Sequence, residues 1–455
     1  MFNTLRRAKK SFVDCCVYYL GITLIGIFKR IPHSWLHRLG KALGTLVFYT
    51  ISDYKKTALT NLALAFPDKS FKERQSIAKH SIQHVMITVL ELLAVEGLIG
   101  HLNDLISIAT AEARPRGFSS DEVLTQKELQ DTFSKLNENK GVILFCGHQA
   151  NWELPFLYIT RDYPGLAFAK PIKNARLNKK IFSLREIFKG KIVAPKQGIN
   201  SALHALQQGH VIGIVGDQAL LISSYTYPLF GHEAFTTTSP ALLAYKTGKP
   251  VIAVSICRNT NGYTIVPSKK LYADKSLPIK DATTSLMNKL MGFLEKGIAH
   301  QPQQWMWMHK RWKRKLSPGL KKKYAYSHIL VIVNSRDLEY FEQFLSDLAR
   351  LYSGAALTLA LYNPTKEKIF ATNLPQYTIQ EFSYLETLYT LPNSFPAVFD
   401  LAKLPVCLHK HFKKTGSVVL YTRKALEKNL SQPTAPLITA LKKFSKNAEL
   451  LKKFF

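Results

Sequence analysis

His148 and Glu153, separated by four residues within Gly141–Tyr158 (GVILFCGHQANWELPFLY), are the side chains best placed by type and spacing for acid–base chemistry. A neutral imidazole takes the proton of an alcohol as that alcohol attacks a thioester carbonyl. A carboxylate on the other ring nitrogen fixes the tautomer and stabilises the imidazolium. Glu153 is the expected source of that carboxylate. The plainer alternative makes both residues structural, with His148 capping a backbone group and Glu153 complementing a helix N-terminus. Zinc is a weaker reading, because HExxH and CxxC are absent and no third ligand suggests itself, so neither a metal nor a cofactor is expected. Cys146, inside an apolar run, reads as a packed thiol rather than a nucleophile.

The elements that must position this pair are legible around it. Val142–Cys146 is an unbroken apolar run of strand length with glycine on either side, the pattern of a strand buried on both faces in mid-sheet. Gly147 and His148 form a polar turn, Asn151 is a plausible N-cap, and Pro155 falls in a first helical turn where its missing N–H costs little. The order strand, tight loop, helix puts His148 at the carboxyl end of a strand, where open α/β sheets bind their ligands. A second strand within Gly165–Lys180, leading into AFAKPIKN, and the runs Val211–Val215, Val251–Cys257 and Tyr263–Val266 read as further strands, with Val211–Val215 ending ahead of Gly216-Asp217-Gln218. The predicted fold is therefore α/β, a mixed and largely parallel sheet flanked by helices.

GHQANWE resembles the HX4(D/E) signature of the glycerolipid acyltransferase superfamily. With Glu at 153 and Trp152 before it, the segment is similar to the lipid A late-acyltransferase branch, the lauroyl and myristoyl transferases. NLALAFPDKSFKER (Asn61–Arg74), AKPIKN (Ala169–Asn174), GDQ (Gly216–Gln218), PLFG (Pro228–Gly231) and PQQWMWMHKRWK (Pro302–Lys313) resemble that branch in the same order. An ordered set carries more weight than any single motif. The resemblance implies transfer of a fatty acyl chain from acyl carrier protein to a hydroxyl of a phosphorylated glycolipid, a lipid A precursor, forming an acyloxyacyl ester. It assigns His148 as base and Glu153 as its partner, with Gly147, Asn151, Lys170, Asn174, Arg185, Asp217, Gln218 and Arg311 near the substrate. Lys170 stands where the family commonly has Arg, which keeps the charge for an oxyanion or phosphate but loses the planar fork. Backbone N–H groups near Gly147 are the other expected oxyanion donors.

Composition narrows the partners. Lys plus Arg outnumber Asp plus Glu by 62 to 31 in 455 residues, a net charge of +31 that calls for an anionic partner. No RRM, KH loop, zinc finger or basic zipper is visible, so nucleic acid is not the expected one. The five scattered cysteines suit a reducing, cytosol-facing body. Cys15–Phe28 is apolar, flanked by basic residues and shorter than the roughly 20 residues of a full span. It reads as an uncleaved membrane-associating helix, the alternative being a buried hairpin with Ile31–Ile51. The expected location is the inner leaflet of a bacterial inner membrane with the catalytic domain facing the cytoplasm.

Four regions are expected: a membrane-anchoring helical segment over 1–52, an acyltransferase domain over 53–315, a basic linker over 316–326, and a C-terminal extension over 327–455. In the extension, Ile329–Val333, a helix with Leu338, Phe341, Leu345 and Leu348 on one face, and Ala356–Tyr362 make a βαβ pattern, a smaller Rossmann-like domain without a Gly-rich phosphate loop. The aromatic and hydroxyl-rich loop Leu221–Thr237 is expected to help cover an acyl chain or to dip into the bilayer. Trp305, Trp307 and Trp312 among cations suit a lipid headgroup zone or nucleic-acid stacking, and the resemblance implies the former. Two other functions remain open on sequence: acylation of a lysophospholipid or glycerol phosphate, and a non-catalytic basic protein that binds membrane or nucleic acid.

Overall fold

In a computed structural model the chain is described over 2–444 except 139, 196–197, 261, 314–319, 322–323, 325, 367–373, 392–394, 418 and 431, with backbone alone over 2–11 and at 442 and 444. The predicted linker falls largely outside the described residues. The elements run α1 (Phe2–Phe28), α2 (His33–Thr50), α3 (Ser52–Ala65), α4 (Phe71–Leu93), α5 (Val95–Leu98), α6 (Leu102–Leu105), β1 (Ile106–Ile108), α7 (Gln126–Asn137), β2 (Ile143–Cys146), α8 (Leu154–Thr160), β3 (Gly165–Phe168), α9 (Ala175–Arg185), β4 (Gly190–Val193), α10 (Gly198–Gln207) and β5 (Val211–Val215). They continue with β6 (Thr226–Leu229), β7 (His232–Phe235), α11 (Ser239–Thr247), β8 (Val251–Arg258), β9 (Tyr263–Pro267), α12 (Ile279–His300), β10 (His328–Asn334), α13 (Leu338–Leu351), β11 (Ala356–Tyr362), β12 (Tyr377–Phe382), β13 (Ala397–Asp400), α14 (Val406–Thr415), β14 (Val419–Thr422) and α15 (Arg423–Glu427).

The residues gather into two compact units. The first, made of 1–50, 79–218 and 236–306, is built on a seven-stranded sheet of order β1-β9-β8-β2-β5-β3-β4. Only the β8–β9 pair is antiparallel, and it follows from a short connection that leaves no room for a crossover. β2 lies in mid-sheet, as its apolar run predicts, with Ile143 and Phe145 fully buried. All eight residues of β8 are buried on the other side of it. Thr125 and Glu128 close a reciprocal capping box at α7, and Gly248, in the left-handed conformation at φ 69°, ends α11 where the sequence places it. α1 and α2 form two helices at the start of this unit. Among the described residues no single helix is long and apolar enough to cross a membrane. Phe12, Tyr19, Leu20 and Ile27 of α1 and Trp35, Leu46 and Tyr49 of α2 are exposed.

The second unit gathers 51–78, 219–235 and 307–455, three pieces far apart in sequence, where the sequence reading divides the chain at 53, 316 and 327. Its sheet is all-parallel, order β12-β11-β10-β13-β14, and the predicted βαβ appears as β10–α13–β11 in parallel register from His328↔Ala356 to Asn334↔Tyr362. Ser70 and Glu73 close the predicted capping box, each backbone N–H donating to the other's side chain. The region expected to be a long covering loop contains the antiparallel hairpin β6–β7, turning through Phe230 and Gly231, both at positive φ. Trp307 and Trp312 are fully buried here, with the Trp312 Nε1 donating to the His232 carbonyl and Trp307 ringed by Phe66 and Phe230. These tryptophans are core residues, contrary to the headgroup-zone expectation, because their neighbours are aromatic and their indole N–H finds a backbone acceptor. Asn61, from the NLALAFPDKS segment, donates to the carbonyls of Trp307 (2.8 Å) and His309 (2.7 Å), which ties two of the family-like segments together.

Candidate active site

β2 ends at Cys146 and its parallel neighbour β5 ends at Val215, the two being register partners. The second residue beyond each strand is His148 and Asp217, so equal overshoot on adjacent parallel strands brings these side chains together. His148 Nδ1 lies 2.5 Å from Asp217 Oδ1, while the His148 backbone N–H donates to Asp217 Oδ2 at 2.8 Å. Trp305 Nε1–H donates to that same Oδ2 at 2.7 Å. Gly147 permits this approach, since a Cβ there would sit 3.0 Å from Asp217 Oδ2 and 2.7 Å from a methyl of Leu294. Burial by itself would raise the Asp217 pKa. The charge of His148 and the hydrogen bonds from His148 and Trp305 outweigh burial and hold the carboxyl well below its usual range. An ionised Asp217 keeps the proton on Nδ1 and leaves Nε2 with its lone pair outward.

The partner of His148 is therefore Asp217, where the sequence reading expects Glu153. Glu153 is held instead by Arg185 in a two-point ion pair, Nε to Oε2 at 2.9 Å and Nη2 to Oε1 at 2.6 Å. The reason is local: α8 starts at Leu154, and Asn151 turns back to accept the Glu153 N–H rather than capping the helix as predicted. Glu153 thereby leaves the strand edge for α9. Gln218 Nε2 stands 3.2 Å from His148 Nε2.

The loop after β2 is clamped on its backbone. The His148 carbonyl accepts from Met306 N–H, Ala150 N–H donates to the Gln304 carbonyl, and Gln149 N–H donates back to the Gly147 carbonyl. Ala150 sits at φ 48°, a left-handed conformation costly for a residue with a Cβ, and its carbonyl is held by Thr88 Oγ1–H at 2.6 Å. The N–H groups of His148, Gln149 and Ala150 are thus all committed, which removes these three from the backbone donors expected near Gly147 to receive the oxyanion. The PQQWM run, legible only as a family-like motif, is this clamp.

Beneath the loop lies a buried polar hub on Glu91. Its Oε2 accepts from Arg258 and Asn151, both at 3.0 Å, its Oε1 from the Nε2 atoms of His33 (2.9 Å) and His37 (2.8 Å), and Tyr263 O–H reaches both oxygens. Burial opposes the Glu91 charge, but Arg258 and the two histidine hydrogen bonds prevail and hold its pKa well down. His33, His37 and Glu91 are the group among the described residues whose donor atoms are close enough for a metal ion. The Arg258 charge already balances Glu91, so the hub is complete as an ion pair. Sequence reasoning missed Glu91 and Arg258 altogether, and no local pattern marks either.

His148, Trp152, Glu153, Lys170, Arg185 and Gln218 line one cavity of about 450 Å³, whose wall continues over Leu144, Cys146, Phe156, Ala167, Ile192 and Gly213. One end is polar and cationic, the other apolar. Cys146 takes part only as wall, since burial pushes its thiol far up. Asn174 lies outside this lining. It caps α9 through Leu177 N–H and donates to the Asp14 carbonyl at 2.6 Å, so its amide is used structurally, contrary to the substrate-binding expectation. Asn151 is likewise spent on Glu91. Arg311 belongs to the second unit, fully buried, with Nη1 donating to the Phe235 carbonyl, and it holds the β6–β7 hairpin rather than presenting a charge to solvent.

The sequence profile of the bacterial lipid A biosynthesis acyltransferases matches residues 6–314. The chain belongs to that family. It is an acyltransferase with a C-terminal portion beyond the family match. It is similar to the lipid A biosynthesis lauroyltransferase of Escherichia coli K12, 26% identical over 301 residues, covering 65% of this chain and 90% of the relative. The palmitoleoyltransferase of the same organism is 22% identical with the same coverage. The phosphatidylinositol mannoside acyltransferase of Mycolicibacterium smegmatis is 21% identical over 43% of this chain and 64% of the relative.

Proposed function

We propose that this acyltransferase moves a fatty acyl chain from acyl carrier protein to a hydroxyl of a lipid A precursor, forming an acyloxyacyl ester at the inner leaflet of a bacterial inner membrane. The observation that carries the reading is His148 fixed by Asp217 at the polar mouth of a cavity whose far end is apolar. The acceptor hydroxyl takes the place of the Gln218 amide before Nε2 and gives up its proton as its oxygen attacks the thioester carbonyl. Lys170, at the cavity mouth, meets the negative charge that develops on the tetrahedral oxygen. Collapse expels the thiolate of the donor, and the imidazolium returns its proton to that sulfur.

The net charge of +31 suits both an acidic carrier protein and a phosphorylated acceptor. Exposed apolar residues of α1 and α2, with cations nearby, suit a helix lying at a bilayer surface, and the five-stranded parallel sheet serves as a Rossmann-like appendage. The relative that acylates a phosphatidylinositol mannoside makes the acceptor the open part of this reading. Purified protein incubated with acyl carrier protein thioesters and a tetraacylated or pentaacylated lipid A precursor is expected to form the ester, and His148→Ala to abolish it while remaining folded. Transfer by that variant at the parental rate sinks the mechanism. Transfer only to a lysophospholipid or an inositol mannoside replaces the acceptor.

A further inference from the structure

The apolar end of the cavity is shaped by one side chain and a bare patch of sheet. Three neighbouring strands carry glycine on the face that packs under α8: Gly165 on β3, Gly190 on β4 and Gly213 on β5. A Cβ at any of them would collide with the same ring, standing 3.1, 2.8 and 2.8 Å from carbons of Phe156. The Phe156 phenyl therefore lies flat in a slot that exists only because those strands lack side chains there. Register places the pieces in order. Leu144, Gly213, Ala167 and Ile192 form one row across the sheet and all line the cavity. Gly165 and Gly190 form the next row on that face, further from His148, and neither lines the cavity because the ring covers them.

We infer that Phe156 is the stop against which the acyl tail ends, and hence the residue that sets acyl-chain length; the inference rests on the acyl-transfer reading above. The tail enters at His148 and runs down the sheet face over Leu144 and Ala167, beside the ring that already covers Gly213. Two residues of strand separate the rows, so removing the ring extends the channel by about 7 Å, enough for roughly four to five more methylenes. Each methylene accepted or refused by an apolar pocket changes a transfer rate by about tenfold or more.

The test measures transfer from lauroyl, myristoyl, palmitoyl and stearoyl carrier-protein thioesters by the wild type, Phe156→Ala and Ala167→Leu. The second variant fills the row above the ring instead of emptying the slot, and it keeps the test sharp should Phe156→Ala fail to fold. Phe156→Ala is expected to move the preferred chain about four carbons longer, with the ratio of longer to parental chain rising about tenfold or more. Ala167→Leu is expected to move the preference shorter by a similar ratio. An unchanged chain profile in the folded variants of an active enzyme overturns the length stop alone. No transfer by the wild type from any thioester overturns the acyl-transfer reading and the stop together.

Discussion

Asp217 acts on the reaction only through the ring it holds, so the expected effect of Asp217→Asn is a wrong tautomer in an intact site. The amide would present a donor where Nδ1–H needs an acceptor. Activity is expected to fall on the order of 10³–10⁴-fold with little change in KM, measured by steady-state transfer. Because its carboxyl is held well below the ordinary range, Asp217 stays ionised at all physiological pH, and any acid limb in the rate profile belongs to another group. Glu153 and Arg185 behave as one unit. Replacing either by a neutral residue strands the other's charge, so Glu153→Gln, Arg185→Met and the double variant are expected to lose similar activity, a non-additive cycle. His84 carries a pH signature of its own. Burial, with the Arg258 charge next to it, pushes its pKa down to about 3, and Arg258 donates to its Nδ1. As pH falls below the ordinary histidine value the unfolded chain takes up a proton that the folded one refuses, so stability is present above that value and lost towards pH 3. The slope is up to about 1.4 kcal/mol per pH unit. Thermal unfolding of His84→Gln across pH 7 to about 4 is expected to show a shallower fall than the parent.

At the scale of elements, the loop after β2 is fixed from below by the Glu91 hub and from the side by the backbone of Gln304–Met306. Glu91→Ala leaves Arg258 buried without its counter-charge, and a loss of about 3–5 kcal/mol is expected by denaturant titration, with activity falling in step as Asn151 and Ala150 lose their support. The strand and helix that carry His148 were legible because an apolar run, a glycine and a helix-compatible proline are local signals. The partner of His148 was not, because Asp217 lies 69 residues away and is delivered by the adjacency of β2 and β5, which no local pattern encodes. The clue available was that GHQ and GDQ end two similar apolar runs, and equal overshoot means contact when such strands are neighbours. The three tryptophans misled for a related reason: cations beside them in sequence point away from the aromatic cluster that buries Trp307 and Trp312 in space.

For the molecule as a whole, the twofold excess of basic over acidic residues is a property of the surface more than of the fold. Sedimentation with vesicles containing anionic phospholipid is expected to bring the protein down at low ionic strength and to release much of it at about 1 M salt, where the screening length shrinks to about 3 Å. Retention at high salt on neutral vesicles would assign the attachment to apolar residues such as Phe12, Leu20 and Trp35 instead. The α/β class and the parallel C-terminal βαβ were readable from strand and helix periodicities. The grouping of 51–78 and 219–235 with the C-terminal residues was not, since it depends on contacts between pieces that resemble no domain boundary.

That grouping bears on how the protein is made. Asn61 waits for a carbonyl 246 residues downstream, and translation at ordinary speed delivers it roughly 12–50 s later. Through that interval Leu59, Leu62 and Leu64 of α3, buried in the finished protein, have emerged from the ribosome without the C-terminal residues of their own unit. Nascent chains stalled ahead of Trp307 should therefore be held by chaperones, and those released beyond Trp312 should let go.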